Sequence, residues 1–190
     1  MGEMAVSANP TDELTALGLG SCIGLAIVDR TAGVAGLAHV VLPESHPGGD
    51  RGKFADTAVP ALVEGMRRAG AVVRRMEAAI AGGACMFDMS GGLDIGARNE
   101  EAVRAALARA RVALRATDTG GNQGRTLRIS VGDGVVSVRA AGQPAVTLLD
   151  DTRPPRPGAG PGAGSRPGAT HRPCAGRAGW TGTSTTGAKR

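Results

Sequence analysis

The sequence predicts an α+β domain over residues 1–151, followed by a disordered tail rich in Pro, Gly, Ala and Arg over residues 152–190. Three observations lead to this prediction. Several apolar runs have strand length, two stretches carry apolar residues at helical spacing, and the composition changes abruptly after residue 151. Several strands combined with two helices favour packed layers around one hydrophobic core.

The apolar runs are bounded by Gly, Pro and Asp, which is typical of strands that end in turns. Five of them are predicted as strands: 13–19, 22–28, 36–42, 72–80 and 114–117. The turn residues 31–33 join the second and third runs, so these two strands are expected to pair antiparallel and to bring residue 39 back beside residue 22. A hairpin is predicted over residues 127–138, because apolar and polar residues alternate on both sides of Gly132-Asp133-Gly134.

Two helices are predicted from apolar or small residues spaced three and four apart. The first lies within residues 54–69 and is expected to begin near Thr57, because Pro60 is then in the first turn. The second is expected to begin at Asn99, a good N-cap residue, with Glu100 in its first turn.

The formal net charge of +5 comes from the tail alone. Residues 152–190 hold seven Lys and Arg and no acid, which leaves a net charge of −2 on residues 1–151. The tail lacks the interleaved aromatics and dense basic runs of a nucleic-acid binder, so no nucleic-acid partner is expected. No apolar run has membrane-spanning length, and the amino end lacks a basic region followed by an apolar block. We therefore expect a cytoplasmic protein without membrane insertion.

Cys22 lies in a glycine-rich segment, residues 17–24, between two apolar runs. Such a turn can present a thiol as a nucleophile, with backbone amides directed at the atom under attack. The alternative is a small buried residue in a tight strand connection. A dinucleotide-binding motif is disfavoured, because Ile23 occupies the place of its third glycine. Both this motif and a nucleophile elbow also require a helix after the turn, whereas the residues that follow favour a strand.

His39 is the candidate base among the three histidines. His46 lies in a polar loop and His171 in the tail, whereas His39 shares a strand face with Leu37 and Val41. Beside a thiol on a neighbouring strand, this imidazole could activate the sulfur, and the alternative is a core histidine with a hydrogen-bond partner. No phosphate-binding loop, CxxC pair or metal-ligand spacing is found, so we expect no cofactor and no metal.

Six motifs occur in the order of a known family: LGLGSCIGLAIVD, GLAHVVLP, KFADTAVPALVEGM, AGGACMF, IGARN and DTGGNQGR. Over residues 13–140 the chain resembles the CheD family, the chemoreceptor glutamine deamidases. The resemblance implies mixed β-sheets packed together with helices on the outside, similar to the catalytic domain of cytotoxic necrotizing factor toxins.

The resemblance also implies the chemistry. CheD proteins convert glutamine side chains of methyl-accepting chemotaxis receptors to glutamate, with release of ammonia. Carried over by motif, Cys22 is the nucleophile and His39 the base. Backbone groups around Ser21 and Gly20 are hypothesised to support the oxyanion, because the segment is rich in glycine. The alternative is a non-catalytic or weakly active regulatory module that binds chemoreceptors or a CheC-type phosphatase.

One residue departs from the family pattern. The family usually has a threonine six residues before the cysteine, thought to orient the histidine, and Ala16 occupies that place. Thr15 is one residue away, and because a strand points successive side chains to opposite faces, it cannot replace the missing hydroxyl without a bulge. We therefore expect weakened rather than abolished catalysis.

Overall fold

The computed structural model describes residues 2–48, 50–85 and 94–151, and the predicted tail over 152–190 lies outside them. Over the described residues the chain forms the predicted α+β fold, with two sheets and two α-helices. The strands are β1 Met4–Ser7, β2 Glu13–Leu19, β3 Ile23–Asp29, β4 Val34–Val40, β5 Glu77–Gly82, β6 Ala113–Thr119, β7 Arg125–Ser130, β8 Val135–Ala140 and β9 Val146–Leu149. The helices are α1 Ala55–Arg68 and α2 Ile95–Ala110, with a short 3-10 helix at Val73–Arg75.

The two sheets differ in size and connectivity. The larger has the strand order β1-β4-β3-β5-β6 and is mixed, since β5 and β6 pair parallel and the other neighbours antiparallel. The crossover from β5 to β6 runs through α2, the usual way to join parallel neighbours. The smaller sheet, β2-β7-β8-β9, is antiparallel throughout and contains the predicted hairpin as β7 and β8. The likeness to the toxin domain stays a prediction.

Strand β3 separates two hydrophobic cores and is buried on both faces. Ile23, Leu25 and Ile27 point to a core shared with α1 and α2, here called the helix-side core. Ala26 and Val28 point to a core shared with the smaller sheet, here called the inter-sheet core. A strand covered on both faces has apolar residues at successive positions, which explains the unbroken apolar run in the sequence.

The predicted strand over 72–80 is partly wrong, because its first residues form the 3-10 helix and β5 begins at Glu77. The cause is the fully buried carboxylate of Asp29, which accepts hydrogen bonds from the backbone N–H of Val72 (2.8 Å) and from Nε of Arg75 (3.0 Å). Burial alone would raise the pKa of Asp29, but the Arg75 guanidinium and the backbone amides lower it below its usual value. The segment therefore turns around a buried charge instead of extending.

Both helices begin earlier than predicted. Helix α1 starts at Ala55, so Pro60 lies in its second turn and forgoes one backbone hydrogen bond there. Helix α2 starts at Ile95, and its N-cap is Asp94, whose side chain accepts from the N–H of Ala97 at 2.9 Å. The expected cap at residue 99 is therefore wrong. The edge strands β1 and β9 were not predicted. No helix in the described part of the chain is long and apolar enough to cross a membrane.

Candidate active site

Cys22 and His39 lie on the same face of the larger sheet. Strands β3 and β4 pair antiparallel, as predicted, with Gly24 directly opposite His39. Because side chains alternate between faces, Cys22, two residues before Gly24, shares the face of His39. Cys22 packs in the inter-sheet core, as do Leu37 and Val41 on either side of the histidine. The two side chains are diagonal neighbours across the strand pair, a relation in which residues lie roughly 7–8 Å apart.

Burial favours the uncharged form of both side chains. Cys22 is a free thiol that is 8% exposed, and burial raises its pKa above the usual value. His39 is partly buried, and burial lowers the pKa of its imidazole. Its Nε2 atom is buried without a hydrogen-bond partner, and no hydrogen bond joins the Cys22 thiol to the His39 ring. Burial thus acts against the formation of a thiolate and of an imidazolium at this position.

Three consecutive carbonyl groups fix the backbone that carries the thiol. The Gly20 carbonyl accepts from the N–H of Ala84 at 2.8 Å, and the Cys22 carbonyl accepts from the N–H of Gly83 at 2.8 Å. Between them, the Ser21 carbonyl accepts from Nδ2 of Asn99 at 3.0 Å. Two of these bonds come from the residues directly after β5 and one from α2, so the segment that carries the thiol is held from two sides.

The backbone N–H groups of the same segment make fewer of these hydrogen bonds than its carbonyl groups do. The Gly20 N–H donates to the Gly18 carbonyl at 2.9 Å. Among the turn and loop hydrogen bonds of the described residues, none uses the N–H of Ser21 or Cys22 as donor. The amide of Gly20, which the sequence also suggested as an oxyanion donor, is therefore already bonded.

Glycine is required where β5 meets the cysteine. Gly82 has φ +114°, and a Cβ atom at this position would overlap the carbonyl oxygen of Cys22. The following Gly83 has φ +62° and lies against the first turn of α2 at Gly96. Any other residue at 82 would push the Cys22 backbone away from β5.

Position 16 faces the inter-sheet core. Ala16 is 5% exposed and pairs with Leu127 on β7. Thr15 lies on the opposite, exposed face, where its hydroxyl donates to Oε1 of Glu13 at 3.2 Å. The register shift in β2 comes between Ala16 and Leu19, after both residues, and so does not turn Thr15 inward. Thr15 therefore points away from the inter-sheet core that contains Cys22, as the alternation of side chains along a strand predicts.

Sequence reasoning missed the contacts of Asn99. It is fully buried inside α2, where Nδ2 donates to the carbonyls of Ser21 (3.0 Å) and Val41 (2.9 Å). The signal that could have found it is its spacing. Asn99, Val103 and Ala106 stand four and three residues apart and share the buried stripe of the helix.

Other candidate ligands lie away from this face or do not cluster. His46 is exposed and its ring contacts the Phe54 ring edge-on, with centroids 5.0 Å apart. Within the residues that the structure describes, no three His, Cys, Asp or Glu side chains gather in a way that could hold a metal ion.

The described residues form an α+β domain with a free thiol and an imidazole on one inner sheet face. Some hydrolases use this pair of groups. Comparison with known proteins identifies the family. The family model described as CheD chemotactic sensory transduction matches residues 41–140. The chain belongs to the CheD family.

Curated relatives match a longer stretch of the chain than the family model does. The chemoreceptor glutamine deamidase CheD of Thermotoga maritima is 48% identical over 143 residues, covering 75% of this chain and 90% of the relative. A probable chemoreceptor glutamine deamidase CheD of Symbiobacterium thermophilum is 47% identical over 150 residues, covering 75% and 91%. One of Haloarcula marismortui is 44% identical over 151 residues, covering 78% and 87%. The match of the family model begins at residue 41, after both Cys22 and His39.

Proposed function

We propose that this chain is a protein-glutamine deamidase that converts glutamine side chains of methyl-accepting chemotaxis receptors to glutamate. Membership of the CheD family and the names of its relatives support the substrate. The observation that carries the mechanism is the position of the Cys22 thiol and the His39 imidazole on one face of adjacent strands. A thiol paired with an imidazole is a common device for attack on a carboxamide carbon.

In the first half of the reaction, His39 accepts the thiol proton while the sulfur of Cys22 attacks the side-chain carbonyl carbon of glutamine. The new S–C bond turns the carbonyl oxygen into an oxyanion, which the amide of Ser21 or Cys22 stabilises. His39 then returns the proton to the departing nitrogen. The C–N bond breaks, ammonia leaves and a thioester remains.

In the second half, water attacks the thioester while His39 removes one of its protons. The C–S bond breaks, the sulfur regains a proton, and the product is a glutamate side chain. The balance is one glutamine side chain and one water converted to one glutamate side chain and ammonia. No cofactor is needed, because every step moves a proton or an acyl group. Hydrogen bonds between catalytic groups often form only once substrate is bound, which fits a thiol and a ring that are not bonded beforehand.

The receptor signalling region is the proposed partner, and we place the reaction in the cytoplasm. The test is co-expression with the cytoplasmic fragment of a receptor, followed by mass spectrometry of its glutamine-containing peptides and measurement of ammonia. We expect a gain of about one dalton at each modified site with the wild type. Cys22→Ala and His39→Ala should abolish it, whereas His46→Ala, at an exposed histidine away from the sheet face, should not.

The two parts of the proposal fail separately. A receptor fragment that is unchanged by the wild-type protein would contradict the deamidase function. Ammonia release that persists in Cys22→Ala would leave the function standing and contradict the assigned nucleophile.

A second candidate function is favoured by Ala16, which stands where the family has the threonine thought to orient the histidine. A member with a weakened site could act as a binding module for chemoreceptors or for a CheC-type phosphatase. Cys22→Ala separates the two functions, since a binding module would keep its effect on the phosphatase while an enzyme would lose ammonia release.

A further inference from the structure

We propose that Asn99 is a positioning residue that fixes the peptide unit between Ser21 and Cys22, so that the Cys22 amide points at the oxyanion of the reacting glutamine. The inference rests on the deamidase function proposed above and adds a residue that acts through the backbone of the nucleophile.

The side chain of Asn99 is committed to two backbone carbonyls. Its Nδ2 donates to the oxygen of Ser21 at 3.0 Å and to the oxygen of Val41 at 2.9 Å. The reverse orientation of the amide would place Oδ1 against two carbonyl oxygens, so the hydrogen bonds decide the orientation. In this orientation Oδ1 is buried without a partner. A fully buried asparagine with one unpaired oxygen costs stability, which indicates a role other than filling the core.

The bond to Ser21 also determines where the next amide points. The Ser21 carbonyl and the Cys22 N–H belong to one planar trans peptide, in which the two groups point in opposite directions. With Asn99 on the carbonyl side, the N–H is directed away from α2. The Cys22 N–H takes part in none of the turn and loop hydrogen bonds of the described residues. A hydrogen bond to the carbonyl also polarises the peptide and strengthens its N–H as a donor.

The second bond ties this peptide to the strand that carries the base. Val41 comes two residues after His39 and directly follows β4. One side-chain amide therefore connects the segment before the nucleophile to the segment after the base. Helix α2 is held in turn by the close approach of its first turn, at Gly96, to Gly83. Loss of the Asn99 amide should let the Ser21–Cys22 peptide rotate and so misdirect the donor.

The test replaces Asn99 with leucine, which has a similar volume and carries no donor and no charge. We expect the kcat for deamidation of a receptor fragment to fall on the order of 10- to 100-fold, and KM to change by less than about twofold. The expected fall in kcat is smaller than that caused by removing an oxyanion donor, because the donor is misdirected and not deleted. Alkylation of Cys22 by iodoacetamide forms no oxyanion, so its rate and pH dependence should stay within about twofold of the wild type. Glu100→Gln is the matched control, since it disturbs the neighbouring α2 residue, which pairs with Arg104, and should leave kcat unchanged.

The outcomes distinguish the two proposals. A wild-type protein that releases no ammonia overturns the deamidase function and this role with it. An active wild type whose Asn99→Leu variant keeps its kcat overturns the role of Asn99 alone. Equal losses of the deamidation rate and the alkylation rate also overturn the role of Asn99, because Asn99 would then only stabilise the fold. Thermal melting of Asn99→Leu and Asn99→Ala measures that stability directly.

Should both variants fail to fold, a measurement on the wild type decides. The probe is a short peptide in which an aldehyde replaces the glutamine carboxamide. The Cys22 sulfur adds to the aldehyde carbon and the thiol proton passes to its oxygen, giving a thiohemiacetal. We expect the Cys22 amide proton to move downfield in the NMR spectrum as it bonds to this oxygen. An adduct that forms without this shift overturns the proposal.

Discussion

Replacing Ala16 with threonine should raise the deamidation rate while lowering the stability of the fold. The residue faces the inter-sheet core, which also contains Cys22, and is only 5% exposed. The Nε2 atom of His39 is buried without a hydrogen-bond partner. A hydroxyl introduced on this face offers a partner to the imidazole and restricts its rotation. In the wild type, no side-chain partner among the described residues restrains Nε2 of this ring.

The size of both effects can be worked out from these surroundings. A hydroxyl–imidazole hydrogen bond contributes about 1 kcal/mol, which corresponds to about a fivefold higher population of the productive ring orientation. Threonine also adds two heavy atoms at a position opposite Leu127, where the core is already filled. Such overpacking costs about 1–3 kcal/mol of the free energy of unfolding. We therefore expect kcat about fivefold higher and a lower melting temperature.

Ammonia release from a receptor fragment measures the rate, and Ala16→Val is the matched control. Valine has nearly the shape of threonine without the hydroxyl, so it carries the packing cost and should give no gain in kcat. Thr15→Ala should leave kcat unchanged, because this hydroxyl lies on the outer face and bonds Glu13. Equal rates for Ala16→Thr and Ala16→Val would refute the reasoning, since the hydroxyl would then contribute nothing.

Three further predictions concern charge and backbone. Burial lowers the pKa of His39, and the Glu3 carboxylate opposes that shift. Glu3→Gln removes this opposing charge, so the acidic limb of the kcat/KM profile should move to lower pH. A limb that does not move would exclude this contribution of Glu3. Asp29→Asn should lower the unfolding free energy by about 2–4 kcal/mol at neutral pH. Because the folded state has the lowered pKa, denaturant titrations of both proteins should converge as the pH falls below about 4, and a constant difference would contradict the argument. Gly82→Ala should cost about 2–4 kcal/mol by thermal or urea unfolding, since φ +114° and the Cys22 carbonyl both exclude a Cβ, and near wild-type stability would show that the strand end can relax.

The sequence was most informative where a pattern is local. The hairpin of β7 and β8 was predicted because alternation and a glycine turn are contained within a dozen residues. The edge strands β1 and β9 were missed because each is only four residues long. Strand β1 also pairs with the distant β4, whereas β9 pairs with its sequence neighbour β8. The first part of the predicted strand over 72–80 became a 3-10 helix because of Asp29, which is 43 residues before Val72 in the sequence. Local propensity does not reveal such a distant partner.

The residues of the candidate site also differ in how far the sequence could predict them. The proximity of Cys22 and His39 could be predicted, since a short turn joins their two strands and fixes the register. Asn99 could not be assigned in this way, because its acceptors at Ser21 and Val41 are 78 and 58 residues away. An asparagine followed by acidic residues favours an N-cap, and the true cap at Asp94 starts the helix earlier, which turns residue 99 into the core.

Burial of both reacting side chains limits how the proposed reaction can be accelerated. With the pKa of Cys22 raised and that of His39 lowered, a thiolate–imidazolium pair is disfavoured before substrate binds. Negative charge then appears mainly in the transition state, when sulfur attacks the carboxamide and its oxygen becomes an oxyanion. Donors fixed in advance are worth most in that situation, because they stabilise the new charge without reorganising. The bonds that hold the carbonyls of Gly20, Ser21 and Cys22 leave two amides in fixed directions, and on this argument the rate should depend more on those bonds than on a preformed thiolate.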